Sequence, residues 1–157
     1  MKLLIVFFLL SLNCFSQTLT GKVVSIMDGD TFKLLKPDST LVKVRLANID
    51  CPEKKQPFSA KAKEFTSNAI FGKTVTISIL KTDRYKRYIS NVTYNDTLSL
   101  CQELVKIGLA WHFVRYSNDK ILQQLEDKAR EDKIGLWQDP NPIAPWEWRA
   151  NKKKKKL

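Results

Sequence analysis

Residues 19–53 read LTGKVVSIMDGDTFKLLKPDSTLVKVRLANIDCPE, and this stretch decides the fold. Residues 19–27 are apolar-rich and β-branched, which predicts a strand. Asp28-Gly29 predicts a tight hairpin turn, because glycine accepts the positive φ that such a turn needs. Residues 31–35 resume an extended run, and 36–39 (KPDS) turn the chain again. Residues 41–46 (LVKVRL) alternate apolar and basic side chains, the mark of a half-buried strand with Lys43 and Arg45 on one face. The expectation is a three-stranded meander. Its turns and ends bring Asp30, Arg45, Asp50 and Glu53 into one neighbourhood of sequence.

Working outward, Asp50-Cys51-Pro52-Glu53 opens a loop that Pro52 and Pro57 keep from being helical throughout. Residues 59–71 have helical spacing, with Ala62, Phe65, Ala69 and Ile70 on one side, Ser59 as N-cap and Gly72 after the end. Strands are expected over 73–80 (KTVTISIL) and 87–94, separated by a charged turn at 82–86. Residues 98–107 predict a helix stopped by Gly108. Trp111, Phe113 and Val114 form a short extended or turning segment. Asn118 is expected to cap a helix over 119–133 whose buried stripe is Ile121, Leu122, Leu125 and Ala129. The Pro- and Trp-rich 137–148 wraps over the core, and the lysine run at 151–157 is expected to be a disordered basic tail. Three strands, a helix, two strands and two helices fit an α+β, β-rich architecture. The expectation is a five-stranded OB-fold Greek-key barrel with about three helices.

The first 16 residues stand apart. Met1-Lys2 is followed by an unbroken apolar run over 3–10 and a polar stretch ending near Ser16, the layout of a secretory signal peptide. The run is shorter than the ~20 residues needed to span a bilayer. The expectation, against the alternative of an uncleaved N-terminal anchor, is export and cleavage that leave one domain over 17–150, released outside the cell or held in the periplasm. The net charge of +11 becomes +10 once Lys2 is removed. Charge of that sign suits nucleic acid, an anionic membrane or another polyanion, and composition does not choose among them. Of three cysteines, Cys51 and Cys101 survive cleavage. They are a possible disulfide or two buried thiols. With one histidine, His112, and no Cys-x-x-Cys pair, a structural zinc site is not indicated.

Asp30 and Asp50 converge at one end of the meander and offer hard oxygen ligands suited to Ca²⁺ or Mg²⁺. Asp28 reads as a turn residue. Glu53, on a loop beside them, can take a proton from water. Arg45, with Arg84 and Arg87 of TDRYKRY, supplies guanidinium groups that match phosphate geometry and keep their charge. Tyr85, Tyr88 and Tyr116 interleave with these bases and can stack on nucleobases, although Tyr88 fits core packing better. The four tryptophans read as core and wrap residues.

Taken as a set, IMDGDTFKL, VRLANIDCPE, TDRYKRY, LVKIGLAW and KIGLWQDPNPIAPWEWR resemble the staphylococcal nuclease (thermonuclease) family over about residues 19–149. The resemblance implies Ca²⁺-dependent hydrolysis of DNA and RNA that leaves 3′-phosphates. It implies metal ligation by Asp30, Asp50 and the backbone carbonyl of Cys51, with Glu53 as the base. Arg45 and Arg87 would bind the scissile phosphate, and Arg84, Tyr85 and Tyr116 the neighbouring phosphate and base. The expected partner is single-stranded or frayed DNA and RNA, taken by a monomer with no stable membrane association. Three departures stand out: Cys51 where the family often has Thr, Lys86 where the turn usually has Gly, and Cys101 near a position that often holds Asn. A side chain at Lys86 is expected to threaten the placement of Arg87. The alternatives are a catalytically silent nucleic-acid-binding barrel, against which all five acid and arginine positions are filled, and a basic protein adhering to anionic surfaces through its tail.

Overall fold

The computed structural model describes residues 17–154; the expected signal peptide lies outside the described residues. The meander forms as its extended runs and two turns predict: β1 (Gln17–Ile26), β2 (Thr31–Leu35) and β3 (Leu41–Leu46) pair antiparallel in sequence. A two-residue strand β4 (Ile49–Asp50) comes next, then α1 (Ser59–Ile70). β5 (Thr74–Thr82) pairs with β1 and with β6 (Arg87–Tyr94), and β6 runs parallel to β3 from Lys43–Arg87 to Leu46–Ser90. That parallel pairing closes a five-stranded mixed barrel of order β1-β2-β3-β6-β5-β1, the OB-fold arrangement. A short β7 (Leu98–Ser99) pairs antiparallel with the end of β6 and leads into α2 (Leu100–Lys106). β8 (Trp111–His112) pairs with β4, α3 (Lys120–Glu131) comes after it, and a 3₁₀ turn (Gly135–Gln138) precedes α4 (Pro145–Lys154). No described helix is long and apolar enough to cross a membrane.

The barrel interior is the core. Val23, Phe32, Leu34, Val44, Ile77 and Val92 alternate inward and are buried, and Ala62 and Ile70 of α1 with Leu100 and Leu104 of α2 close over one end. A second cluster joins Trp111, Trp137 and Ala144, with Trp111 and Trp137 edge-to-face at 4.5 Å between centroids. Tyr88 packs against the barrel core, in line with the packing role expected for it.

Local chemistry sets several boundaries differently from the sequence expectation. Ser59 is not the cap of α1: Phe58 occupies that position at φ 66°, with no side-chain cap bond. α3 is capped by Asp119 rather than Asn118, its Oδ1 accepting from the N–H groups of Ile121 (2.9 Å) and Leu122 (3.1 Å). Of the expected stripe, Leu122 and Ala129 are buried and Leu125 packs on the core, whereas Ile121 is exposed and Glu126 is buried in addition. Buried Glu126 is satisfied by Arg130 and by the His112 N–H, and His112 bridges Gln123 (3.0 Å) and Ser117 (3.1 Å). The lone histidine is therefore a structural tie between β8 and α3. The expected tail is helical as far as it is described, because α4 continues through Lys154. Gly29 has no positive φ; the glycine is required because a Cβ there would sit 2.8 Å from Ala62 Cβ and 2.9 Å from Cys51 Cβ.

Candidate active site

The turn between β1 and β2 is pinned from three sides. Thr66 of α1 donates its hydroxyl to the Gly29 carbonyl (2.6 Å), and the Leu46 N–H donates to the Asp30 carbonyl (2.8 Å). Asp30 Oδ2 accepts the Cys51 N–H (2.8 Å). These bonds lock the DGDT turn, the end of β3 and the start of the 51–57 loop at one end of the barrel. Chain connectivity then delivers Asp30, Arg45, Asp50, Cys51 and Glu53 to a common cleft of about 590 Å³. Arg87, the first residue of β6, enters the same cleft because β6 lies parallel to β3.

Arg45 is the hub. Its Nη1 lies 3.0 Å from Asp30 Oδ2 and donates to the carbonyls of Leu46 and Ile49, both at 3.2 Å. Its Nη2 donates to Asp50 Oδ1 at 2.7 Å. Burial works against its charge, but Asp30 and Asp50 hold its pKa above the ordinary value. Asp50 is itself almost fully buried, and that burial raises its pKa despite the two arginines beside it. Asp28 does more than shape the turn. It accepts the Asp30 N–H at 3.2 Å, and it also lines the cleft, where desolvation and the neighbouring Asp30 push its pKa up to about 6.

Lys86 does not dislodge Arg87. It adopts the left-handed φ of 59° that a glycine would take, and Asp83 anchors the start of β6. Asp83 accepts the Arg87 N–H (3.0 Å) and Nε–H (2.8 Å) as well as the Tyr85 N–H (2.8 Å). Arg84, Tyr85 and Tyr116 lie outside the cleft lining. Tyr85 is exposed beside it, with the Arg87 guanidinium 5.5 Å from its ring centroid and that of Arg84 at 4.9 Å. Tyr116 packs edge-to-face on Phe113 and is also exposed.

Cys51 and Cys101 are free buried thiols rather than a disulfide. Burial raises both pKa values, that of Cys101 to about 12, and the Cys101 thiol donates to the Ala47 carbonyl at 3.5 Å.

One site residue escaped sequence reasoning. Arg149 of α4 reaches across to the acids: Nη2 donates to Asp50 Oδ2 at 2.7 Å, and Nη1 to Asp50 Oδ1 at 3.3 Å and to Glu53 Oε1. The Glu53 loop is tied to the same region through Gln56, whose side chain accepts the Glu53 N–H (2.9 Å) and donates to the Ile143 carbonyl. The available signal was the arginine closing PWEWR, which reads as one more charge before a basic tail.

The donor chemistry fits a hard divalent cation. Asp30 and Asp50 present carboxylate oxygens at adjoining strand ends; burial and Asp30 raise the pKa of Asp28, and burial raises that of Asp50 despite Arg149 and Arg45. In the present arrangement these oxygens are engaged by Arg45 and Arg149, and no three-ligand cluster exists among the described residues.

Known proteins resemble the chain along most of its length. Residues 43–139 match the family model described as staphylococcal nuclease homologue. The chain is 36% identical over 148 residues to a protein named "Uncharacterized endonuclease" from Escherichia coli O157:H7, covering 94% of this chain and 96% of the relative. It is 41% identical to a protein of that name from Haemophilus influenzae, covering 97% and 84%. It is 34% identical to the "Micrococcal nuclease" of Shigella flexneri, covering 85% and 82%. A closed barrel, an arginine-centred carboxylate cleft and this similarity lead to one conclusion: the chain belongs to the staphylococcal nuclease family, a family of nucleic-acid-cleaving hydrolases.

Proposed function

We propose that this chain is an exported, Ca²⁺-dependent phosphodiesterase that cleaves single-stranded or frayed DNA and RNA and leaves 3′-phosphates. One observation carries the reading: Asp30, Asp50 and Glu53 share a single cleft with Arg45 and Arg87. Asp30, Asp50 and the Cys51 carbonyl would hold the cation, which supplies fixed positive charge for the phosphate as negative charge grows on it. Arg45 and Arg87 donate to the non-bridging oxygens and neutralise charge in the transition state. Glu53 accepts a proton from the attacking water. The water oxygen bonds to phosphorus, the bond from phosphorus to the 5′-oxygen breaks, and that oxygen leaves with a proton from solvent. Exposed Tyr85, braced by Arg84 and Arg87, offers a face to the neighbouring base, and Tyr116 offers another further along.

The test is a cleavage assay on single-stranded DNA and RNA with residues 17–157 in Ca²⁺, Mg²⁺ or EGTA. Activity is expected with Ca²⁺ and lost in EGTA; activity indifferent to chelators overturns the cation assignment. Glu53→Gln is expected to lower turnover by orders of magnitude while binding persists, and full activity in that variant removes Glu53 as base. Export rests on the leader-like residues 1–16 and is checked by cell fractionation, where retention of the full-length chain in the cytoplasm refutes it.

A further inference from the structure

A second cavity adjoins the active-site cleft. Its volume is about 560 Å³, and Ile143 and Trp148 line it together with Lys54, Lys55, Lys152 and Lys154. No acidic residue lines it, and none of the four lysines pairs with a carboxylate among the described residues. Two features join it to the cleft. Lys54 lines both. Trp148 and Arg149 are consecutive residues of α4: Arg149 lines the cleft and bonds Asp50 and Glu53, while Trp148 lines the second cavity. Arg87 lines the cleft but not this cavity, and its guanidinium lies 5.5 Å from the Tyr85 ring centroid.

We propose that this pocket is a nucleotide subsite, taking the base that lies across the scissile phosphate from the Tyr85 side. The proposal extends the phosphodiesterase reading to the substrate's second base. An indole beside an aliphatic side chain stacks on any base without reading sequence, and lysines in the same lining meet the phosphates that accompany it. A cavity of this size admits a nucleotide. Continuity with the cleft through Lys54 and through the Trp148-Arg149 pair selects a nucleic-acid strand over a free anionic ligand. A strand passing through the cleft leaves it beside this pocket.

The test compares thymidine dinucleotides carrying an abasic residue on one or the other side of the scissile phosphate. In the wild-type protein each abasic substitution is expected to raise KM, roughly tenfold for a lost stacking contact. Trp148→Ala should remove the penalty on one side only, and Tyr85→Ala the penalty on the other. If Trp148→Ala retains both penalties, the subsite assignment is wrong. Lys55→Ala/Lys152→Ala alters exposed side chains and serves as the second variant. Its log-log salt dependence of binding to a single-stranded oligothymidylate should be shallower by about 1.4, from two lost phosphate contacts at ~0.7 each. An unchanged slope also overturns the proposal. Should the wild-type protein cleave nothing, the phosphodiesterase reading fails by itself. The pocket is then judged by fluorescence anisotropy with the same oligothymidylate, where Trp148→Ala must weaken binding about tenfold. Binding to phosphatidylserine vesicles that disappears in Trp148→Ala, with oligothymidylate binding intact, assigns the pocket to a lipid headgroup and refutes the subsite.

Discussion

Replacing Arg149 with alanine should separate what this residue does for stability from what it does to cation binding. Arg149 gives Asp50 bonds of 2.7 and 3.3 Å and also holds Glu53. The Asp50 side chain is 1% exposed, so water does not replace what is lost, whereas the Arg149 side chain is 42% exposed and its bonds are partly screened. A hydrogen bond to a charged group contributes about 1.5–3 kcal/mol, and discounting for that exposure leaves about 2 kcal/mol for Arg149→Ala. For a domain of this size that corresponds to a fall in Tm of roughly 4–8 °C. Urea unfolding in EGTA measures it. The pH dependence has a definite sign. Burial already holds the pKa of Asp50 above its ordinary 3.8, and losing a neighbouring cation raises it further. A raised folded-state pKa in an acid destabilises the ionised form, so the deficit grows as pH rises and closes below 3.8, where Asp50 is protonated in both folded and unfolded chains. Adding Ca²⁺ should then narrow the gap at neutral pH. The cation no longer competes with the Arg149 guanidinium for the Asp50 oxygen, and ligand at ~100 times its Kd contributes about 2.7 kcal/mol. The reasoning fails if Arg149→Ala is as stable as the wild type in EGTA, or if Ca²⁺ stabilises the variant less than the parent.

The same contacts set three further outcomes. Asp28→Asn keeps the acceptor for the Asp30 N–H but removes a charge that titrates near 6, so the cation-free protein should gain at most about 1 kcal/mol at pH 7 and nothing below pH 3.8, by urea unfolding. Lys86→Gly relieves a left-handed backbone at φ 59° and should add about 0.5–1 kcal/mol with no loss of cleavage activity; a loss of stability would show that the Lys86 side chain has a role of its own. Cys51 and Cys101, buried with raised pKa values, should resist a thiol-alkylating reagent at pH 8 in the folded protein and react fully in urea, as read by mass spectrometry.

The barrel is legible where one face of a strand is buried and the other is not. β2, β3 and β6 have the bounds read from the sequence, and a slip of one residue would turn Phe32, Val44 or Val92 out of the core. Helix starts are less legible. Asn118 and Asp119 are both good caps, and only the packing of α3, with Glu126 turned inward to the His112 N–H, chooses between them. Gly29 sits at the expected turn for a different reason: the constraint is crowding by Ala62 and Cys51, which comes from a helix and a loop elsewhere in the chain. Six of the nine predicted site residues share the cleft because the meander and the β3–β6 pairing determine where their backbones lie. Arg149 has no such guide. Its partners are 99 and 96 residues away, and nothing local to PWEWR distinguishes a charge that bridges two acids from one that faces solvent.

That separation has a consequence for biosynthesis. The ribosome emits the carboxylate loops early and Arg149 nearly 100 residues later, as the sequence spacing of its bonds to Asp50 and Glu53 requires. A nascent chain therefore holds Asp50 and Glu53 without their clamp until the last helix has been translated. Products of stalled translation or of proteolysis within residues 139–144 would carry the barrel and its acids but lack α4, leaving Glu53 without its Arg149 tie.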